Sequence, residues 1–178
     1  TRVGEFSFVD MHNLKEIQLS STVKSFGKWA FEGSGIKGGL RKVVIPKGVK
    51  TISDSLFDGC SLTGVDLPNS VKTIGESAFS GCDIKEITLP TKLEKIKACA
   101  FMNCASLTEV ILPKKITLIG SCSFFGCKKL TSLDIESTKL EKINSEAFSE
   151  CTKLETITIR SKKLTTLGKN CFDGCGKL

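Results

Sequence analysis

The sequence predicts a solenoid, in which the chain coils repeatedly and each coil stacks on the one before it. Apolar leading residues recur at spacings of 22 to 26 residues, and in most repeats a proline, a phenylalanine and a cysteine follow at fixed positions. A fixed period of this length is typical of repeat architectures, which are stabilised by contacts between neighbouring coils. We therefore expect one domain of about seven repeats over residues 1–178. The leading residues are Leu14, Leu40, Leu62, Ile84, Leu107, Leu130, Leu154 and Leu178.

Each repeat opens with a predicted strand. In the repeat that starts at Leu107, Val110 and Leu112 are two positions apart and share the inward face, whereas Glu109 and Ile111 point outward. Because every repeat brings this strand back in the same direction, neighbouring strands should pair in parallel, about 4.8 Å apart. A proline without a donor N–H ends the strand in four repeats. These prolines are Pro46, Pro68, Pro90 and Pro113.

A second, shorter segment follows the turn. Its apolar residues are three apart, as at Ile116 and Ile119, which indicates a short extended or 3₁₀ segment whose side chains face inward. A glycine often follows and should permit the next bend. One phenylalanine column then predicts a stacked aromatic spine inside the rod. Its members are Phe8, Phe31, Phe57, Phe79, Phe101, Phe124, Phe148 and Phe172.

Two features depart from the repeat. The glycine-rich residues 32–39 form an insertion, which we expect to be a loop on one face. The insertion does not match a phosphate-binding loop, because the Lys-Ser/Thr pair of that motif is missing. The chain also begins and ends within a repeat without a modified terminal unit, so we expect a fragment of a longer array.

The composition excludes two kinds of partner. The net charge is +7, but lysines occur in every repeat among aspartates and glutamates, a pattern that favours a solvated surface over a nucleic-acid track. No run of eighteen apolar residues occurs, so membrane insertion is not expected.

The turn after the strand differs in the last two repeats. There Glu136 and Arg160 replace the proline, and one extra residue predicts a wider turn.

The nine cysteines divide into a column and three outliers. Six occupy one repeat column with parallel side-chain directions, which give poor disulfide geometry, so we expect them to pack as free thiols. Cys99 and Cys122 are one repeat apart, and a disulfide between them stays open. A Cys₄ site with Cys104 and Cys127 would have a spacing outside the usual zinc range, so no metal or other cofactor is expected. The column is Cys60, Cys82, Cys104, Cys127, Cys151 and Cys175, and Cys171 is the third outlier.

Catalysis has little support in the sequence. His12 is the single histidine and lies in a variable turn, where a solvent-exposed spacer is the favoured interpretation. The carboxylates recur as surface columns, and no nucleophile with a nearby base is visible. A non-enzymatic protein is therefore predicted.

The repeat pattern LxxIxLPxxVxxIGxxAFxxC, clearest in residues 62–127, resembles the BspA-like leucine-rich repeats of bacterial and protist surface proteins. The resemblance implies a curved, right-handed leucine-rich repeat solenoid, with its parallel β-sheet on the concave face and short extended or 3₁₀ segments on the other side. It also implies adhesion to host matrix proteins or other partners, a location at the cell surface or outside the cell, and no shared catalytic residues.

Solenoids usually bind along the extended concave surface, so the outward residues of the strands are the candidate binding residues. We expect a protein partner, such as a host matrix protein or receptor, or a glycan. An acidic series along the middle repeats favours a basic or polar protein patch. The alternatives are a structural spacer or an intracellular scaffold, and a cytoplasmic location would suit many reduced cysteines. The candidates are Glu16, Gln18, Lys42, Val44, Asp66, Glu86, Thr88, Glu109, Ile111, Asp134 and Thr158.

Overall fold

The computed structural model describes residues 1–34 and 39–178, and these form a parallel β-solenoid of about seven turns. The described residues contain strands and turns but no helix. Four residues of the glycine-rich insertion, 35–38, lie outside the described part of the chain. The strands are β1 (Arg2–Val3), β2 (Ser25–Phe26), β3 (Lys42–Val44), β4 (Thr51–Ile52), β5 (Gly64–Asp66), β6 (Thr73–Ile74), β7 (Lys95–Ile96), β8 (Glu109–Leu112), β9 (Leu118–Ile119), β10 (Ser132–Ile135), β11 (Lys142–Ile143), β12 (Thr156–Ile159) and β13 (Thr166–Leu167).

The first strand of each coil lies in one row, as the repeat predicts. This first row contains β3, β5, β8, β10 and β12, and Glu16 extends it by a parallel bridge to Lys42. The register follows the repeat columns, because Val110 pairs with Leu133 and Leu133 pairs with Ile157. In β8 the burial alternates as predicted, with Val110 and Leu112 buried and Glu109 and Ile111 exposed.

The first row is interrupted in the middle of the rod. Strands β3 and β5 form one sheet and β8, β10 and β12 form another, and residues 85–89 between them are not in a strand. The corner before the first row changes length at this place. One residue, Asp83, separates Cys82 from Ile84, whereas two residues separate Cys104 from Leu107. The repeat columns remain aligned across the break, because the Thr108 N–H donates to the Lys85 carbonyl oxygen at 3.1 Å, just as the Thr131 N–H donates to that of Thr108 at 3.0 Å.

The second segments form the longer sheet. Strands β4, β6, β7, β9, β11 and β13 pair in parallel along six consecutive coils, and β1 pairs with β2 in the same columns. Each is extended rather than 3₁₀, and its second residue faces the core, as at Ile96 and Ile119. The sequence left both conformations open, and coil-to-coil pairing selects the extended one because it satisfies the backbone N–H and C=O groups.

Between the two rows lies the phenylalanine spine. Six of its eight rings, from Phe31 to Phe148, are fully buried, and the two end rings are partly buried. Consecutive ring centroids are 4.9 to 5.6 Å apart with nearly parallel planes. The spacing equals about one coil rise, so each ring covers its neighbour and continues the core along the rod.

The corners between the second and first rows require unusual backbone. Two positions in each coil adopt left-handed φ angles, and one of these columns contains the outlying Cys99 and Cys122. Gly120 has a different role from the bend that the sequence suggested, since its φ is not left-handed. A Cβ added there would lie 2.4 Å from the backbone of Lys97 in the preceding coil, so close approach of two coils requires the glycine.

Candidate binding groove

The predicted binding residues lie on the outward side of the first row. Val44 and Ile111 are large apolar side chains with 58% and 53% of their surface exposed. Glu16, Gln18, Lys42, Asp66, Glu86, Thr88, Glu109 and Thr158 are exposed, and Asp134 is half-buried. We call this surface the first-row face.

A groove of about 760 Å³ lies on this face at the interruption of the sheet. The unpaired segment at Glu86 and Thr88 forms its centre, with β5 on one side and β8 on the other. The groove therefore coincides with the break in the first row, where residues 85–89 are not in a strand.

Six of the eleven predicted residues line the groove, and five do not. Those in the groove are Lys42, Asp66, Glu86, Thr88, Glu109 and Ile111. Those elsewhere on the face are Glu16, Gln18, Val44, Asp134 and Thr158.

Gly64 and Glu136 line the groove although the sequence did not suggest them as binding residues. Gly64 leaves space in the groove, because it has no side chain and a Cβ added there would have nothing within 4 Å. The signal for Gly64 was a glycine at an outward strand position, where other repeats have a side chain. The signal for Glu136 was its substitution for the proline of the column, which by itself indicated only a wider turn.

The groove is acidic in a chain that is basic overall. Four carboxylates line it, those of Asp66, Glu86, Glu109 and Glu136, and Lys42 is the one basic side chain among its lining residues. Asp134 lies nearby on the first-row face but is paired with Arg160 at 3.0 Å, which partly neutralises it. The uncompensated negative charge is therefore concentrated at the interruption of the sheet.

The column cysteines have a structural role beyond apolar packing. All nine cysteines are free thiols. Each column thiol donates a hydrogen bond to the carbonyl oxygen of the spine phenylalanine in the preceding coil, at 2.9 to 3.3 Å. In the repeat that lacks this cysteine, Ser34 takes its place and donates to the Phe8 carbonyl. Burial raises the pKa of the Cys60 and Cys104 thiols to about 12, so they are protonated near neutral pH.

The outlying cysteines do not assemble a metal site. Cys171 is buried beside Phe172 at the position that alanine occupies in most repeats. Cys99 and Cys122 are half-buried, and the Cys122 thiol lies 3.8 Å from a Glu146 carboxylate oxygen. Burial is the main cause of the raised pKa of both thiols. Within residues 1–34 and 39–178, no group of three or more His, Cys, Asp and Glu residues could hold a metal ion.

Two further sequence predictions concern His12 and the membrane. His12 is exposed in a turn, as predicted for a spacer. The described part of the chain contains no helix with the length and apolar character needed to cross a bilayer.

Comparison with known proteins supports a leucine-rich repeat fold. The family model described as BspA type leucine rich repeat region matches in six copies over residues 1–38, 37–139 and 72–178. No match is found among curated proteins.

Solved structures provide further parallels. A leucine-rich repeat protein from Bacteroides ovatus is 36% identical over 94% of this chain, with a TM-score of 0.86, and the chain spans 43% of that protein's length. A leucine-rich repeat protein from T. pallidum is 29% identical over 77% of each chain, with a TM-score of 0.58. A pneumococcal vaccine antigen is 21% identical over 93% of this chain and 50% of its own, with a TM-score of 0.64, and this likeness is one of fold.

Proposed function

Because the chain belongs to the BspA-type leucine-rich repeat family, we propose that it is a non-enzymatic binding module that presents its first-row face to a protein or glycan. The groove at residues 86–88 carries this proposal. It is the place where an extended face, an opening in the sheet and uncompensated negative charge coincide. Concave surfaces with a few convergent polar groups are the usual form of binding sites.

The composition of the groove favours a protein partner with a basic patch. Opposite charges across an interface increase the association rate and select among partners. Ile111 adds an exposed apolar side chain beside Glu109, and such a residue within a polar surface can serve as an anchor. We also propose that the module acts at the cell surface or after secretion, in adhesion, which family membership supports.

The proposal is tested with purified matrix proteins and a glycan array, using surface plasmon resonance against the immobilised chain. We expect at least one member to bind. The double variant Glu86→Lys/Glu109→Lys should weaken that binding by about tenfold or more, because it replaces attraction with repulsion at the centre of the groove.

The matched control is Glu76→Lys/Glu141→Lys, which changes the charge equally at two exposed positions outside the groove. This control should change the affinity by less than about twofold at ionic strengths that screen distant charges. Equal losses in the two variants, or no binding by any member of the panel, would contradict the proposal.

A further inference from the structure

The coil places half of the chain's cations on one side of the rod. This side consists of the turn residues that follow the proline column and the outward residues of the second segment. Thirteen of the 26 lysines and arginines occupy it, together with two carboxylates, Glu94 and Glu141. We call it the lysine side. Its cations are Arg2, Lys24, Lys47, Lys50, Lys72, Lys92, Lys95, Lys114, Lys115, Lys139, Lys142, Lys162 and Lys163.

This segregation is not visible in the linear sequence. The lysine side has a formal charge of +11, so the remaining residues have −4 and the chain sums to +7. Along the sequence the same lysines alternate with acidic residues of other columns, which favoured a uniformly solvated surface. Stacking of the coils in register separates the columns and produces a rod with one strongly basic side.

The cations of the lysine side are exposed and mostly unpaired. All thirteen are exposed. Within the described part of the chain, only two form ion pairs, Arg2 with Glu5 and Lys72 with Glu94. The other eleven cations have no carboxylate partner among the described residues, and their mutual repulsion would be relieved by an external anion.

The lysine side also has a recess. Near its N-terminal end, Lys24 and Lys50 line a cavity of about 590 Å³ together with Ser25, Thr51 and Ser53, of which the Ser53 hydroxyl already donates to the Phe26 carbonyl at 2.7 Å. Lysine amines and hydroxyl groups are the donors that bind anionic oxygens. The Lys24 amine bridges two turns by donating to the carbonyl oxygens of Ser21 and Lys47, both at 3.1 Å. The Lys24 amine thus keeps one N–H for an anion, and the Lys50 amine has no ion pair within residues 1–34 and 39–178.

From the charge, the regular spacing and the recess, we propose that the lysine side binds a linear acidic polysaccharide, with its anionic groups following the coils. Lysines recur on every coil from β2 to the end of the rod, with a rise of about 4.8 Å per coil. A regular row of point charges fits a polymer that carries anionic groups at short, regular intervals. None of its thirteen cations lines the groove of the first-row face.

Other polyanions fit this side less well. Twelve of its thirteen cations are lysines, whereas arginine supplies the bidentate contacts typical of nucleic-acid recognition. No aromatic residue lies among its outward positions in the described residues, so single-stranded bases would find no stacking partner. Leu118 is its largest outward apolar side chain and is half-buried, which leaves little to insert into a membrane surface.

The test measures binding of the chain to heparin, a sulfated polysaccharide, and to oligo-dT of matched charge at about 0.15 M salt. The variant replaces Lys50, Lys95, Lys114 and Lys142 with glutamine. We expect the wild type to bind heparin more tightly than oligo-dT, and the variant to lose about tenfold or more in heparin affinity. The salt dependence should also become shallower, because fewer counterions are released on binding.

The matched control replaces Lys85, Lys128, Lys129 and Lys153 with glutamine, an equal charge change at exposed positions elsewhere. The control should lose less than about threefold in heparin affinity. The Glu86→Lys/Glu109→Lys variant should retain heparin binding even if the groove has no partner. Circular dichroism and urea midpoints establish that the variants are folded. Absence of heparin binding, equal losses in variant and control, or tighter binding of oligo-dT would each overturn the proposal.

Discussion

At the residue scale, the column cysteine joins each coil to the one before it. The carbonyl of Phe79 accepts two hydrogen bonds, from the backbone N–H of Cys82 in its own coil and from the thiol of Cys104 in the next. A side chain that is small, apolar and a donor meets both requirements of this site, packing and hydrogen bonding. Serine fulfils the same role at Ser34, so the column is defined by a donor directed at a carbonyl and not by thiol chemistry.

The buried thiols should make the rod sensitive to alkaline pH. Burial raises the pKa of Cys104 to about 12, whereas in the unfolded chain it should titrate near its ordinary value of about 9. The folded state then binds more protons, so this stabilisation is complete below about pH 9 and is lost as the pH rises toward 12. Each such thiol should cost up to about 1.4 kcal/mol of unfolding free energy per pH unit in this range.

The variant Cys104→Ser isolates this effect, because serine does not titrate and retains a donor for the Phe79 carbonyl. Urea unfolding under reducing conditions between about pH 8 and pH 11 should show the wild type losing stability faster than the variant. Lysine deprotonation affects both proteins equally and cancels in the difference. Parallel pH profiles for the two proteins would show that Cys104 is not protonated selectively in the folded state.

At the element scale, stability depends on contacts between neighbouring coils. The Phe101 ring is stacked between Phe79 and Phe124, at 5.3 and 5.1 Å, whereas Phe172 has one spine neighbour, Phe148, at 5.6 Å. Because each coil contacts only its neighbours, a defect in the middle weakens two interfaces and a defect at the end weakens one. The position along the rod should therefore determine how much unfolding free energy is lost when the same substitution is made.

Phe101→Ala should lower the unfolding free energy by about 3–5 kcal/mol, as is usual when a fully buried phenylalanine is truncated. Phe172→Ala, the same change at a partly buried end position, should cost about half as much or less. Chemical unfolding followed by circular dichroism measures both values. Equal costs at the two positions would contradict a stability built from nearest-neighbour contacts.

At the scale of the whole molecule, the repeat columns were sufficient to predict the parallel coil, its inward residues and the phenylalanine spine. Each of these depends on spacing within a repeat, which the sequence displays directly. The interrupted sheet and the groove were not predicted, because residues 84–89 have the same apolar columns as the strands on either side, and only the three-dimensional structure shows that they are not in a strand. The lysine side was missed for a similar reason, since charge segregation appears only when the columns are stacked.

The backbone conformation of the corners could also not be predicted from the sequence. Residues such as Trp29, Cys99 and Glu146 adopt left-handed φ angles, although glycine or asparagine would be expected there. The coil-to-coil hydrogen bonds of the corner, such as that from the Cys99 N–H to the Ser121 carbonyl at 2.9 Å, determine this backbone more strongly than the residue's own preference.

Gly64 gives a test of the groove that does not alter its charge. The residue lies in strand β5 with ordinary φ, and a Cβ there would meet nothing within 4 Å, so Gly64→Trp can be accommodated without backbone strain. Its indole should occupy the groove, leave the unfolding free energy within about 1 kcal/mol of wild type, and abolish binding of any partner found for the first-row face. Thr73→Trp, on the outward side of β6, is the control that adds the same ring outside the groove. If Gly64→Trp binds the partner as well as Thr73→Trp does, the partner contacts another part of the molecule and the groove is only a consequence of the break in the first row.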